Sequence, residues 1–269
     1  MTMAPPTTSS RRDPAYARAL DFERAMRIAS GLAWPIPRGL LIADPAHPLV
    51  WDVNTLWLDD VGDATADELV AEAGRLQAPA GLAHRSVLVV DEHDWTRLSP
   101  GFSAAGYMVQ VNAVMAHRGA APAAPAEAVE TDADPALVKP AATAYIAAEP
   151  FGADADAAAQ VLSHVLRRPG GADERWCTIS RDGAVVAYAR LWQAGDVAQV
   201  EDVVVLEPWR RQGLGRAVVA AATRVALTAS PELLFIVADD DDWPKDLYAS
   251  LGYETVGRLA IFRQVPAAV

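Results

Sequence analysis

Apolar positions along the chain change period several times, and each change marks an element. Residues 154–168 (DADAAAQVLSHVLRR) set Ala158, Val161, Leu162 and Val165 at the three-and-four spacing of one helix face. Residues 174–180 and 184–193 are strand-like and meet at Asp182–Gly183, a pair suited to a hairpin turn. Residues 197–206 form a third β-rich run. Beyond Pro208 a basic loop with two glycines leads into a helix pattern over 214–229. Ser230–Pro231 stops it, because the residue before proline avoids the helical region. The run LLFIVA (233–238) is wholly apolar, as expected for a strand covered on both faces. Residues 245–251 predict a short helix ending at Gly252, which suits the left-handed position past a last turn, with Asp241 or Asp242 as its cap. Residues 254–264 predict a closing strand.

The first part of the chain repeats the later half of this plan. A strand over 50–58 precedes an amphipathic helix over 65–77, a strand over 85–91, a helical segment ending at Gly106 and a strand over 107–115. The segment VVDEHDW…SAAGY, ending at Tyr107, aligns with VADDDDW…ASLGY, ending at Tyr253, and Asp52 to Trp95 spans nearly the distance of Asp202 to Trp243. Chance matching of short turn-and-helix segments is the competing explanation; self-similarity on this scale favours a tandem of related units. Between them, residues 118–128 (RGAAPAAPAEA) carry no periodic pattern and read as a linker, giving units at 14–117 and 129–265.

Composition narrows the function. At 269 residues there is room for one large domain or two small ones, and 52% apolar with 22% charged residues fits a folded protein. Thirty-five acidic against 23 basic side chains, a net charge of −12, argue against a general nucleic-acid binder. No run of about 18 apolar residues exists, so no membrane span is expected. The opening MTMAPPTTSSRRD lacks a secretory apolar segment and reads as a loose tail. One cysteine, Cys177, rules out an intramolecular disulfide and four-cysteine metal sites and fits a reducing, cytoplasmic setting; it reads as a buried structural thiol. Asp239 to Asp242 read as a solvated turn, and the five histidines lack ligand spacing, so no metal is expected.

In so acidic a chain an anionic ligand needs a local cluster of positive charge, and residues 201–216 (EDVVVLEPWRRQGLGR) supply one. A strand runs into a turn in which a helix begins, where the first backbone N–H groups lack partners and the helix dipole adds positive potential. Gly213 and Gly215 remove side chains that would hold an anion away, and Arg210, Arg211 and Arg216 add three charges. These features describe a phosphate or pyrophosphate site. The spacing is neither that of a P-loop nor that of the three-glycine dinucleotide turn. A surface turn whose arginines are merely solvated would use the same residues.

The order strand, R-x-x-G-x-G, helix, apolar strand, acidic turn, then LYASLGY (247–253) closely resembles the GNAT superfamily of N-acetyltransferases, over residues 129–264. The resemblance implies an α/β (α+β, mixed-sheet) class. It implies a tandem GNAT-like acyl-CoA acyltransferase fold, each unit a mixed twisted sheet flanked by helices. It implies that Arg210, Arg211, Gln212, Gly213, Leu214, Gly215 and Arg216 grip the pyrophosphate of acetyl-coenzyme A. The main chain of Val203 and Val205 would meet the pantetheine arm and the thioester carbonyl, where a backbone N–H is worth ~3–4 kcal/mol to a developing oxyanion. Tyr248 stands where many members place the acid that protonates the departing thiolate; packing against the cofactor without proton transfer is the alternative. Many members have asparagine where Asp241 stands, which leaves the contact made there open. Glu201 is the candidate base, on the same strand face as Val203 by alternation, with Asp202 opposite; a water chain is the alternative. The first unit has only DDVGDA (59–64) in place of the basic loop, so it would hold no pyrophosphate, be catalytically silent and wall the acceptor site.

The implied reaction is acetyl transfer from acetyl-CoA to a primary amine, a small molecule or a peptide, by direct attack in a ternary complex. The expected protein is a cytoplasmic monomer or homodimer with no nucleic-acid or membrane partner. Two other classes keep the same loop: a non-catalytic acyl-CoA-binding regulatory module, and a nucleotide- or sugar-phosphate-binding protein. The acidic balance favours a cationic amine. Residues 143–153 and Trp192, Trp209 and Trp243 are candidates for the acceptor wall, though tryptophans in a core look the same.

Overall fold

The computed structural model describes residues 13–168 and 170–265; the tail at 1–12 lies outside them. Helix α1 (Pro14–Ser30) starts where Asp13 caps the N–H of Ala15 and Pro14 presets the first turn. A hairpin of β1 (Leu32–Ile36) and β2 (Gly39–Ala43) follows. Then come β3 (Thr55–Leu58), α2 (Ala66–Gln77), β4 (Arg85–Val89), α3 (Glu92–Ala104) and β5 (Met108–His117). Beyond the linker lie α4 (Pro135–Ala148), a single 3-10 turn at Pro150–Ala153, and α5 (Ala155–Val165). The antiparallel strands β6 (Asp173–Arg181), β7 (Ala184–Ala194) and β8 (Val197–Val205) lead to α6 (Leu214–Thr228), β9 (Leu233–Asp239), α7 (Pro244–Ala249) and β10 (Tyr253–Gln264).

All ten strands join one sheet, in the order β1-β2-β3-β4-β10-β5-β9-β8-β7-β6. Two corresponding halves, β3-α2-β4-α3-β5 and β8-α6-β9-α7-β10, meet at its centre. Each has one parallel pair, β3 with β4 and β8 with β9. The expectation of one sheet per unit gives way here, because the two closing strands are exchanged. Strand β10 pairs with β4 of the first half, β5 pairs with β9 of the second, and the two pair antiparallel with each other from Tyr253↔His117 to Arg263↔Met108. Alternation of apolar residues fixes which face a strand buries but not which neighbour it takes. The crossing is held where Arg118 and Gly119 donate to the carbonyl of Gly252. A side chain on Gly119 would stand 3.1 Å from the Gly252 Cα.

Helix α1 lies across this junction. Its Tyr16 ring covers Gly257, where any Cβ would fall 2.4 Å from the ring. The Tyr16 hydroxyl sits 2.7 Å from the carbonyls of Val90 and Arg258, tying α1 to the end of β4 and to the exchanged strand β10 that pairs with it. On the α1 face, Phe22, Met26, Trp57, Leu88, Phe235 and Leu259 form a core that mixes residues of both halves. The opposite face carries two separate cores, one beneath α2 and α3 and one beneath α6. Among the described residues no helix is long and apolar enough to cross a membrane.

Candidate active site

The parallel pairing of β8 and β9 runs from Val197↔Leu233 to Val200↔Ile236 and stops. Strand β9 continues to Asp239 along β5, and β8 continues to Val205 along β7, so the two part like a fork at Glu201. The register of β7 against β8 slips between Tyr188 and Arg190, and Asp202 takes φ 49°. This is a bulge, with Asp tolerating the left-handed conformation better than most residues. It breaks the alternation on which the two carboxylates were assigned to opposite faces. Glu201 and Asp202 both line one cavity, while Val203 and Val205 pack on the other face against the core beneath α6. Because Leu206 N–H bonds to β7 at Val186, alternation turns the main-chain groups of Val203 and Val205 toward the open fork.

A buried guanidinium holds the bulge. Arg190 is 2% exposed and pairs with Glu174 and, at 3.2 Å, with Asp202. It donates to the carbonyls of Val165 and Arg167 at 2.7 Å each and lies between the rings of Trp176 and Trp192. Burial raises the Asp202 carboxyl above its ordinary range, and Arg190 offsets part of that rise.

Past the fork, Gly213 is the N-cap of α6, with φ 80° and no side-chain cap bond. The N–H groups of Arg211, Gln212 and Gly213 donate to no backbone carbonyl among the described residues. A Cβ on Gly213 would meet nothing within 4 Å, and one on Gly215 would only touch Val205 and Leu247 at ordinary contact distance. Arg210, Arg211 and Arg216 are exposed around this space. Arg210 Nε donates to the Val205 carbonyl at 3.1 Å and Arg216 donates to Ser250 Oγ at 2.5 Å. Leu214 instead points into the core, and Gln212 donates to the Pro208 carbonyl. The donor set and the room above it fit a diphosphate.

On the α1 side of the fork lies a cavity of about 400 Å³. Glu201, Asp202 and Asp239 line it from the second half, with Glu23, Arg27 and Asp52 from the first. The Asp52 side chain is 71% exposed on this wall, so the recess is open to solvent. Burial lifts Asp52, but the charges of Arg263 and Arg27 outweigh it and hold the carboxyl below its usual range. Burial, then Arg167 and His47, push His164 down to about 4, which keeps its ring neutral. Burial, then the charges of Glu23 and Asp202, raise Glu201 well above the ordinary glutamate value. Tyr248 is buried in the core beneath α6, and burial followed by the charges of Glu201 and Asp242 raises its phenol, holding it protonated.

Of the three candidate tryptophans only Trp192 lines the cavity; Trp209 packs on the core beneath α6 and Trp243 is 68% exposed. The cap expected of Asp241 or Asp242 is absent: Pro244 begins α7, Trp243 is its N-cap without a side-chain bond, and Asp242 accepts from Trp243 N–H. Among the described residues no group of three or more His, Cys, Asp or Glu is placed to hold a metal ion. Sequence reasoning missed Glu23, Asp52 and Arg190, which only the tertiary fold brings to the fork. An arginine inside the apolar run AVVAYARLW was the one available signal.

A forked mixed sheet with an uncapped helix and basic loop beyond the fork defines an acyl-CoA acyltransferase fold. Residues 142–253 match the model of the acetyltransferase (GNAT) family. A functionally unknown conserved protein from Staphylococcus epidermidis is similar in structure, with TM-score 0.69 and 18% identity over 87% of this chain and 93% of that one. A GCN5-related N-acetyltransferase from Kribbella flavida gives 0.63 and 20% over 94% and 96%. A tandem GNAT protein from the clavulanic acid biosynthesis pathway gives 0.51 and 18% over 75% and 70%. No curated protein matches the chain. Residues 142–253 thus match the GNAT family model, and the fold of the chain, with a half-repeat ahead of those residues, is similar to that of a tandem GNAT protein.

Proposed function

We propose that the protein transfers the acetyl group of acetyl-CoA to a primary amine by direct attack in a ternary complex. The observation that carries this reading is the fork itself. It opens at a carboxylate, Glu201, on the strand that leads through the basic loop to the uncapped glycine start of α6. The family uses acetyl-CoA, which supplies an activated acyl thioester. Arg210, Arg211 and Arg216, with the N–H groups from Arg211 to Gly215, would hold its pyrophosphate. Gln212 and Leu214 would contribute main chain only. The main-chain groups of Val203 and Val205 would pair with the pantetheine arm in the fork, and a Val203 or Val205 N–H would stabilise charge developing on the thioester oxygen. Glu201, made a stronger base by its surroundings, would take the proton of the amine, directly or through the water of the cavity. Tyr248 would give its proton to the departing thiolate. The amine would approach through the cavity, whose wall includes residues 23–27 and 49–53 of the first half.

Thiol release from acetyl-CoA across an amine library tests the reaction. Acceptor-dependent turnover is expected, lowered in Tyr248→Phe. Tight acetyl-CoA binding with no turnover for any amine would replace the enzyme with a non-catalytic acyl-CoA-binding module. A thermal-shift titration with coenzyme A and ATP tests the ligand. Coenzyme A should stabilise the fold strongly and ATP weakly, and Arg210→Ala should weaken the coenzyme effect with the fold intact.

A further inference from the structure

Gln199 is fully buried on β8, two residues before Glu201. Its amide nitrogen donates both of its hydrogens to carboxylates, one to Glu23 Oε1 on α1 and one to Glu201 Oε1. Two acceptors on one side fix the nitrogen there, and the amide oxygen, turned the other way, has no partner among the described residues. A buried carbonyl left unpaired is unfavourable. An apolar residue of similar volume would avoid this, as Phe235 and Trp57 do on the same side of the sheet. Gln199 instead holds two like charges together across the boundary between the two halves.

We propose that Gln199 and Glu23 are positioning residues for Glu201, so that helix α1 of the first half is part of the active site. The inference rests on Glu201 being the base of the proposed reaction. Gln199 aims the Glu201 carboxylate along β8 toward the fork and limits its rotamers. Glu23 fixes the far end of the bridge and is itself held by Arg27 at 3.1 Å. The charged or titratable groups around Glu201 are Glu23, Arg27, Asp52, His164 and Asp239 around the cavity, Asp202 with its partner Arg190, and Tyr248 from α7. Of these, Glu23 is the one that Gln199 ties to it. The two residues act on Glu201 with opposite signs. The Gln199 hydrogen bond favours the ionised form, and the Glu23 charge opposes it.

Carbon-13 NMR of side-chain carboxyls in the full chain, with Glu201→Gln assigning the signal, reads the titration of Glu201 without any acceptor. Glu23→Gln keeps an acceptor for the bridge and should move the Glu201 midpoint down. Gln199→Leu should move it up. Stabilisation by coenzyme A checks that each variant is folded. With an amine that turns over, the acidic limb of kcat/KM should move the same two ways. Gln199→Leu should also lose up to about a hundredfold in kcat, with KM for acetyl-CoA unchanged. If Gln199→Leu fails to fold, the Glu23→Gln shift alone decides. A Glu201 midpoint unmoved by Glu23→Gln overturns the proposal, whereas turnover that survives Glu201→Gln overturns the base assignment itself.

Discussion

The chain builds the same strand-to-helix corner twice, and the two copies differ where the chemistry lies. In the first half, α2 starts with a capping box. Thr65 Oγ1 accepts from Glu68 N–H at 3.3 Å, and Glu68 Oε2 accepts from Thr65 N–H at 2.8 Å. Asp67 adds negative charge to that first turn, and Arg97 of α3 closes the loop by donating to the carbonyls of Gly62 and Ala64. Gly101 of α3 packs so tightly on Ala66 that a Cβ would fall 2.5 Å from it. In the second half the N-cap is Gly213 with no side-chain bond, and the third helical position, held by Glu68 in α2, is Arg216 in α6. One corner satisfies its own donors and suits a structural role; the other leaves its donors without a backbone partner among the described residues, as the proposed anion site requires.

The comparison breaks most sharply at the fork, which the first half lacks: β3 stays paired with β4 to its last residue, Leu58↔Val89. Glu201→Gln should lower turnover by about two to four orders of magnitude, the usual loss of a general base. The same change should stabilise the fold at alkaline pH. Glu201 is raised in the folded state, so the native protein binds the extra proton. Stability therefore falls as pH rises from the ordinary glutamate range through the raised folded value, and the penalty is complete above it. Urea unfolding at pH 8 should favour the variant, with the gap closing toward pH 4. Equal pH dependence in both proteins would show that Glu201 is not held against its own charge.

Arg190→Leu should come next, costing about 3–5 kcal/mol because it strands Glu174 and Asp202. Denaturant unfolding measures it. A loss below about 1 kcal/mol would mean that the bulge keeps its shape without this side chain.

Much of this was legible from the residues. The basic turn at 210–216, the repeat ending in Tyr107 and Tyr253, and the strand and helix order of both halves follow from local pattern, because each is fixed by neighbours in sequence. The exchange of β5 and β10 was not legible, since pairing partners are a long-range choice between strands of similar pattern. Nor was the bulge, which a single left-handed Asp202 creates and which carries Glu201 and Asp202 to one face against simple alternation. Helices α1 and α4 and the β1–β2 hairpin have weaker patterns. The amphipathic stripe of α1 meets both halves only because the exchanged strands draw them together, and with it come Glu23 and Arg27.

Smaller changes sharpen the contrast between the two corners. Arg216→Glu gives α6 the acid that α2 has at the same position. Coenzyme A affinity should fall about ten- to a hundredfold through charge reversal beside a diphosphate, as read by titration calorimetry. Stability should hold or rise slightly, because a carboxylate in the first turn gains about 0.3–1 kcal/mol from the helix dipole, against the lost contact with Ser250. Thr65→Ala is the converse change and the smallest. It removes the hydroxyl that accepts from Glu68 N–H, leaving only the bond from the residue 65 N–H to Glu68, at a cost of about 1 kcal/mol in thermal or urea unfolding. Coenzyme A binding should be untouched, since the first corner neither faces the fork nor carries the arginines. A loss of coenzyme affinity in Thr65→Ala without a loss of stability would mean that the first corner is a working ligand site, and the division of labour drawn between the two would be wrong.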